Sequence, residues 1–232
     1  MTEGPKEYRQ ARFARPPGAC EILLVRHGES EPARPDQPFP LLDGQGDPDL
    51  DPVGHAQAER VADRLAAEGI EAIYVSTLRR TSQTAAPLAA RLGLEPRVER
   101  DLREVHLGEW EGGLFRKHVA ERHPIALRIR EEQRWDVVPG AEPADAFAAR
   151  VQGVMFRIAV AHRDQTVAVF THGGTIGQIL AIAAQSRPFA FTGSDNGAIS
   201  HLVVDGDLWI IRRYNDTAHL GLALTTLPEP LT

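Results

Sequence analysis

The 232-residue chain reads as an α/β protein, a three-layer α/β/α sandwich around a mostly parallel central sheet. Two observations predict it. Short β-branched runs alternate along the chain with longer stretches of helical periodicity, the pattern of β-α-β units. Two of the runs, residues 21–25 and 166–171, contain almost no polar side chain, as strands buried on both faces of a parallel sheet do, and each leads into a His-Gly pair, His27-Gly28 and His172-Gly173. Ligands of such sheets sit beyond the carboxyl ends of the strands, so both imidazoles are expected at one site. The glycines permit sharp turns and let backbone N–H groups approach a ligand. Arg26, immediately before His27, adds a cation, and the ligand expected there is an anion.

Each element follows in order. Residues 21–25 form the first strand, and the proline- and glycine-rich stretch from Glu31 to Asp49 is expected to be an irregular loop at the binding edge. Asp51-Pro52-Val53 reads as N-cap, proline at the first helical position and helix start; Ala58, Val61, Ala62 and Leu65 mark one apolar face, and Gly69 ends the helix. Residues 72–76 make the next strand. The helix over 77–92 is opened by Arg79 and Arg80, and Pro87 is expected to kink or restart it. A short extended piece at Arg97-Val98 leads to residues 102–112, after which charged, helical sequence runs to Arg134. A helix over 144–162 feeds the strand ending at His172, and residues 173–185 form a helix whose N-terminus faces that histidine. Residues 198–204 and 208–214, around Asp205-Gly206, make a hairpin.

Composition narrows the function classes. With 42% hydrophobic and 25% charged residues the chain suits a single domain over residues 19–232. Residues 1–18 carry charges and prolines without an apolar run, so they are expected to be a flexible N-terminal tail and not a secretory signal. No apolar stretch approaches the roughly 20 residues that span a bilayer. The net charge of −6 argues against nucleic-acid or membrane-surface partners, which favour basic patches. Cys20 is alone, so no internal disulfide forms; a half-buried structural thiol in a reducing cytoplasm is expected.

Phosphoryl transfer depends on positioning and on electrostatic stabilisation of charged oxygens, which the planar fork of arginine suits better than lysine does. A neutral histidine can attack phosphorus through one ring nitrogen while a backbone carbonyl holds the other. That route needs no metal or cofactor. It does need a carboxylic acid to protonate the departing alcohol and then to activate water.

Five motifs and a C-terminal segment, in order from Cys20 to Leu220, resemble those of the histidine phosphatase superfamily, also called the phosphoglycerate mutase-like family. Residues 24–30, Leu-Val-Arg-His-Gly-Glu-Ser, look like its nucleophile motif, and residues 50–58 are similar to the helix-opening motif that follows. Residues 76–85 match its Ser-x-Leu-x-Arg segment, residues 102–112 its acid motif, and residues 171–174 its second-histidine motif; residues 215–220 look like its C-terminal segment, taken as structural. The resemblance implies a phosphoglycerate mutase-like fold with His27 as phosphoryl acceptor and Glu104 as proton donor. It also implies Arg26, Arg80 and His172 as phosphate ligands, with Gly173 beside them. One departure stands out: where the family often has Trp and a pocket Asn shortly after the nucleophile motif, this chain has Pro32-Ala33.

Neighbouring residues receive plainer roles. Adjacent helical residues point about 100° apart, so with Arg80 aimed at the pocket Arg79 is expected in a surface ion pair. Glu109 and Glu111 compete with Glu104 for the acid role but read as solvated carboxylates, and Glu29 as a loop-ordering residue. No His-Glu-x-x-His or Cys-x-x-Cys spacing suggests zinc, and the prolines around Asp47, Asp49 and Asp51 argue against a calcium loop. Trp110 and Trp135 read as packing residues.

The expected function is that of a metal-independent phosphomonoesterase of the histidine acid phosphatase type, acting on a small phosphorylated substrate. A phosphoglycerate mutase-type phosphotransferase and a non-catalytic phospholigand-binding protein are the alternatives. Mutases of the family it resembles generally carry a longer insertion between the acid and the second histidine, so the resemblance, with the shorter span from Glu104 to His172 here, favours hydrolysis. Substrate contacts are expected from residues 31–49, residues 110–135 and Ser194-Asp195-Asn196. A bell-shaped pH profile on the acidic side of neutral follows from needing neutral His27 with protonated Glu104. An exposed sheet edge would allow two copies to pair.

Overall fold

A computed structural model describes residues 8–34 and 36–221. Its strands are β1 (Cys20–Arg26), β2 (Leu41–Leu42), β3 (Gln45–Gly46), β4 (Ile70–Val75), β5 (Arg97–Val98), β6 (Thr166–Thr171), β7 (Ile199–Asp205) and β8 (Leu208–Asp216). The helices are α1 (Pro52–Leu65), α2 (Arg79–Leu92), α3 (Leu114–Ala120), α4 (Pro124–Glu132), α5 (Ala144–Ala161) and α6 (Gly173–Ala184). Six strands form the central sheet in the order β5-β4-β6-β1-β7-β8, and β2 and β3 form a separate two-stranded hairpin. β5, β4, β6 and β1 run parallel, while β7 and β8 complete the sheet antiparallel.

The period of two along each strand creates the layers. Ile22, Leu24, Tyr74, Val167 and Val169 point to one face, where Phe147, Val151 and Met155 of α5 and Ile176, Ile179 and Leu180 of α6 cover them. Leu23, Val25, Ile73, Val75, Ala168 and Phe170 point to the other, against Val61 and Leu65 of α1 and Leu88 of α2. Asp51 caps α1 as its sequence predicts, its Oδ1 accepting from Gly54 N at 2.7 Å. The three-layer sandwich expected from the sequence is therefore present.

Several local expectations need correction. α2 runs from Arg79 to Leu92 without restarting at Pro87, because the turns on either side are held by buried Ala85, Leu88 and Ala89. Its N-cap residue Leu78 has no capping side chain; Asp47 Oδ1, from the preceding loop, accepts from Arg79 N at 2.8 Å instead. The 31–49 loop is not wholly irregular, since it holds the β2–β3 hairpin; its Pro35 lies outside the described residues. The charged stretch before Arg134 resolves into two short helices, α3 and α4, gathered around buried Trp110, Ala126, Ile129 and Val138. Trp110 packs as expected, its ring 4.6 Å from that of His118.

Cys20 is fully buried, not half-buried, because β1 lies inside the sheet. Burial pushes its thiol pKa up to about 12, which makes it a structural group. Of the expected tail, residues 1–7 lie outside the described residues, as do residues 222–232 of the expected domain. Gly18 N donates to Asp164 Oδ1 at 2.6 Å, and the Arg212 guanidinium lies 3.8 Å above the Phe13 ring. Among the described residues no helix is long and apolar enough to cross a membrane.

Candidate active site

Strand register brings the histidines together. β1 and β6 pair with Arg26 opposite Thr171, and His27 N donates to Thr171 O at 3.0 Å. His27 and His172 therefore leave adjacent strand ends side by side, their ring centroids 5.2 Å apart. β1 continues to α1 on one face of the sheet and β6 to α6 on the other, so the crevice between them is a topological switch point.

His27 is held in one tautomer from two sides. Its Nδ1 lies 2.7 Å from Gly28 O, and a carbonyl only accepts, so Nδ1 carries the proton. Arg80 Nε donates to Nε2 at 3.2 Å, which leaves Nε2 as the bare nitrogen. Burial, then the nearby Arg80 and Arg26 charges, push the His27 pKa well below its usual 6.5. Gly28 N is held by Thr84 Oγ1 at 2.9 Å, and His27 O accepts from Asn196 Nδ2 at 2.9 Å.

His172 is fully buried, and its Nε2 lies 2.9 Å from Ser76 Oγ. Ser76 Oγ accepts from Leu78 N, and its shorter hydroxyl contact is to His172, against 3.2 Å to Thr81 Oγ1. The Thr81 hydroxyl in turn donates to Leu78 O at 2.8 Å. His172 Nδ1, the other ring nitrogen, is a buried atom without a hydrogen-bond partner among the described residues. Burial, Arg80 and His27 hold the His172 pKa well below 6.5.

Both predicted phosphate arginines are at this site. Arg80 is 8% exposed and anchors its Nη1 on Gly46 O at 2.9 Å. Burial lowers its pKa to about 10, so it stays charged at neutral pH. Arg26 donates from Nη1 to Ser194 O, and burial lowers its pKa while Glu104 opposes that shift. Arg79 turns away to Asp47 (2.9 Å) and Asp49 (3.1 Å), as the helical geometry predicts.

Glu104 rests on the N-terminal turn of α6. Its Oε2 accepts from Gly174 N at 2.9 Å and its Oε1 from Thr175 N and Val105 N, both at 3.0 Å. The two glycines opening α6 have a steric purpose. A Cβ on Gly173 would lie 3.3 Å from Arg26 Nε, and one on Gly174 would lie 2.5 Å from Glu104 Oε1. Glu109 is exposed. Glu111 is not merely solvated: its carboxylate accepts from Leu107 N (2.8 Å) and Gly46 N (2.7 Å) and so braces the residue that anchors Arg80.

Ser194-Asp195-Asn196, expected to read substrate, makes contacts that support the pocket. The C-terminal segment holds this loop in turn, Asn215 Oδ1 accepting from Asp195 N at 2.7 Å and His219 Nε2 lying 3.0 Å from Gly197 O. Sequence reasoning missed the supporting roles of Ser76, Thr84 and Asn196, as well as Arg116. Arg116 reaches from α3 to Ser30 Oγ at 2.7 Å and Glu31 O at 2.8 Å. Only for Ser76 was there a signal, its place just past the end of β4, whose Val75 pairs with Phe170 of β6. Among the described residues no cluster of three or more His, Cys, Asp or Glu side chains is placed to hold a metal ion.

Two neighbouring imidazoles, buried Arg80 and half-buried Arg26 at the switch point of a doubly wound sheet define an α/β protein with a compact, cationic site. Comparison with known proteins places it among relatives. The family model of the histidine phosphatase superfamily (branch 1) matches residues 22–217, and the chain belongs to that family. It is 34% identical over 205 residues to phosphoglycerate mutase-like protein 4 of Arabidopsis thaliana, covering 87% of each chain. To phosphoserine phosphatase 1 of Hydrogenobacter thermophilus it is 31% identical over 204 residues, or 87% of this chain and 94% of that one. The solved structure of mycobacterial glucosyl-3-phosphoglycerate phosphatase superposes with a TM-score of 0.73 at 27% identity, over 86% of this chain and 100% of that one.

Proposed function

We propose that this protein is a metal-independent phosphomonoesterase working through a phosphohistidine on His27. The observation that carries this reading is the double hold on His27, with Nδ1–H on Gly28 O and Nε2 bare beside Arg80. A neutral imidazole presented this way is a nucleophile without further activation. The phosphatases among the relatives support hydrolysis as the outcome.

The substrate phosphoryl group displaces the Arg80–His27 contact, so that Arg80, Arg26 and His172 Nδ1–H stabilise its oxygens. The Nε2 lone pair attacks phosphorus and the ester P–O bond breaks. Glu104, entering as the acid, delivers its proton to the departing alcohol oxygen. Glu104, now a carboxylate held by the first turn of α6, takes a proton from water as the water oxygen attacks the phosphohistidine. The P–N bond breaks, its electron pair returns to Nε2, and inorganic phosphate leaves. A reducing cytoplasm, inferred from the lone cysteine, is the compartment that fits this reading.

The test is phosphate release from an aryl phosphate in excess EDTA, comparing the native protein with His27→Ala. Activity that survives chelation and disappears in the variant is expected. Release that persists in His27→Ala, or that requires an added divalent cation, would overturn the proposal.

A further inference from the structure

A third guanidinium stands against the chain that follows the nucleophile. Arg116 donates to Ser30 Oγ and Glu31 O, on the chain just beyond the nucleophile, and its guanidinium carbon lies 5.2 Å from the centre of the Phe39 ring. The approach of α3 depends on small residues. Gly113, at φ +101°, passes so close to Ala33 that an added Cβ would sit 3.0 Å from the Ala33 Cβ. Ala33 thus leaves room for the start of α3, and one helical turn later Arg116 overlies the segment where a pocket asparagine was missing.

Arg116 is half-buried, and no carboxylate among the described residues lies within 4.0 Å of it. Burial first and Arg26 second push its pKa down, with Glu29 and Asp51 as weaker opposing charges. Its charge also reaches His27 and Arg80. The pocket therefore holds one more cation than a phosphoryl group with Arg26 and Arg80 requires. Only two of its N–H donors are engaged by Ser30 and Glu31, so the guanidinium retains donors for a ligand. We infer that Arg116 is a specificity-determining residue that binds a carboxylate on the organic part of a small phosphomonoester.

A carboxylate fits better than a second phosphate, because a single guanidinium matches one negative charge and the other two arginines face the reacting phosphoryl group. The Phe39 ring beside it supplies an apolar wall for the carbon chain between the two anions. This inference rests on reading the site as a phosphomonoesterase.

The experiment measures kcat/KM on two matched pairs, phosphoserine against phosphoethanolamine and 3-phosphoglycerate against glycerol 3-phosphate. Native protein is expected to prefer the carboxylate member by at least about tenfold, and Arg116→Gln to reduce that ratio by about ten- to a hundredfold, the range of a charge-assisted hydrogen bond. Arg116→Lys should fall between. Because the readout is a ratio within one preparation, misfolded protein cancels. A ratio near one in the native protein, or the same ratio in Arg116→Gln, would overturn the inference. Aryl phosphate turnover in parallel reports on the phosphomonoesterase reading itself. If that turnover is absent, calorimetric Kd ratios for the same pairs decide the role of Arg116, retained carboxylate preference supporting it and its absence refuting it.

Discussion

Ser76 Oγ lies 2.9 Å from His172 Nε2, and this contact fixes which nitrogen of His172 is engaged, leaving Nδ1 without a partner among the described residues. The hydroxyl is a positioning group acting through the imidazole. Ser76→Ala should let the His172 proton redistribute between its two nitrogens and lower kcat/KM about tenfold, the worth of one hydrogen bond. Nitrogen NMR shifts of His172 would show the change of tautomer directly. Unchanged shifts in Ser76→Ala would refute the assignment even if activity fell.

The contact between Gly174 and Glu104 separates acid catalysis from binding. Gly174→Ala places a Cβ 2.5 Å from Glu104 Oε1, too close for contact, so the carboxylate must move. Both Gly174→Ala and Glu104→Gln should slow alkyl phosphates by about 10²–10⁴-fold, the usual span of general acid–base catalysis. Aryl phosphates, whose leaving groups need little protonation, should lose less in the first step. Equal losses for both leaving-group classes, read by the phosphohistidine burst, would place Glu104 outside proton donation.

Arg79 and Arg80 are adjacent in sequence and opposite in role. Arg80→Ala removes the donor on His27 Nε2 and a phosphate ligand, and kcat/KM should fall about 10²–10³-fold, as when one transition-state donor is lost. Arg79→Ala removes the side-chain pairs with buried Asp47 and exposed Asp49, but Asp47 keeps its bond from the backbone N of residue 79, and kcat/KM should change only a few-fold. Vanadate affinity should follow the same order. Comparable losses in both variants would mean that α2 presents its arginines differently in solution.

The buried histidines make stability fall in mild acid. Both pKa values lie well below 6.5 in the folded chain, while unfolded imidazoles titrate near 6.5. The contribution of neutral His27 and His172 is therefore complete above pH 6.5. It is lost as pH drops from 6.5 toward the folded values, because the unfolded chain binds more protons there. The slope is about 1.4 kcal/mol per pH unit for each histidine in that window. Urea unfolding at pH 7, 6 and 5 should show a shallower decline in His172→Gln than in the native protein. Parallel declines would show that neither imidazole is kept neutral by folding.

By the same shifts, His27 remains a neutral nucleophile into moderately acidic solution, so the acid limb of kcat/KM should lie well below pH 6.5. A pH–rate profile on an aryl phosphate checks this. An acid limb centred at 6.5 would point to an exposed His27.

Much of the fold was readable because strands and helices declare themselves over short windows. The period of two in Ile22–Val25 sorts its side chains onto opposite faces, and Asp51-Pro52 marks a helix start, whatever the rest of the chain does. α2 does not restart at Pro87, since its buried face continues on either side of the proline, which the local cost of a proline does not reveal. Asp47 as the cap of α2 was invisible for the opposite reason, since donor and acceptor are 32 residues apart.

The same division runs through the site. The residues of the pocket, His27, His172, Arg26, Arg80 and Glu104, were legible in the sequence because a chemistry of charged oxygens restricts which side chains can follow a buried strand, and family motifs preserve their order. Their relations were not. Which nitrogen of His27 bears the proton depends on Gly28 O and Arg80, which nitrogen of His172 is engaged depends on Ser76, and the glycines of α6 matter only because Arg26 and Glu104 pass against them. Arg116 reaches the nucleophile loop from 85 residues away through a packing of Gly113 on Ala33. Hydrogen bonds and close contacts act over a few ångströms of space, whatever the separation along the chain. The sequence thus determined the composition of the pocket, and tertiary packing alone decided its protonation, its geometry and the third arginine against its nucleophile loop.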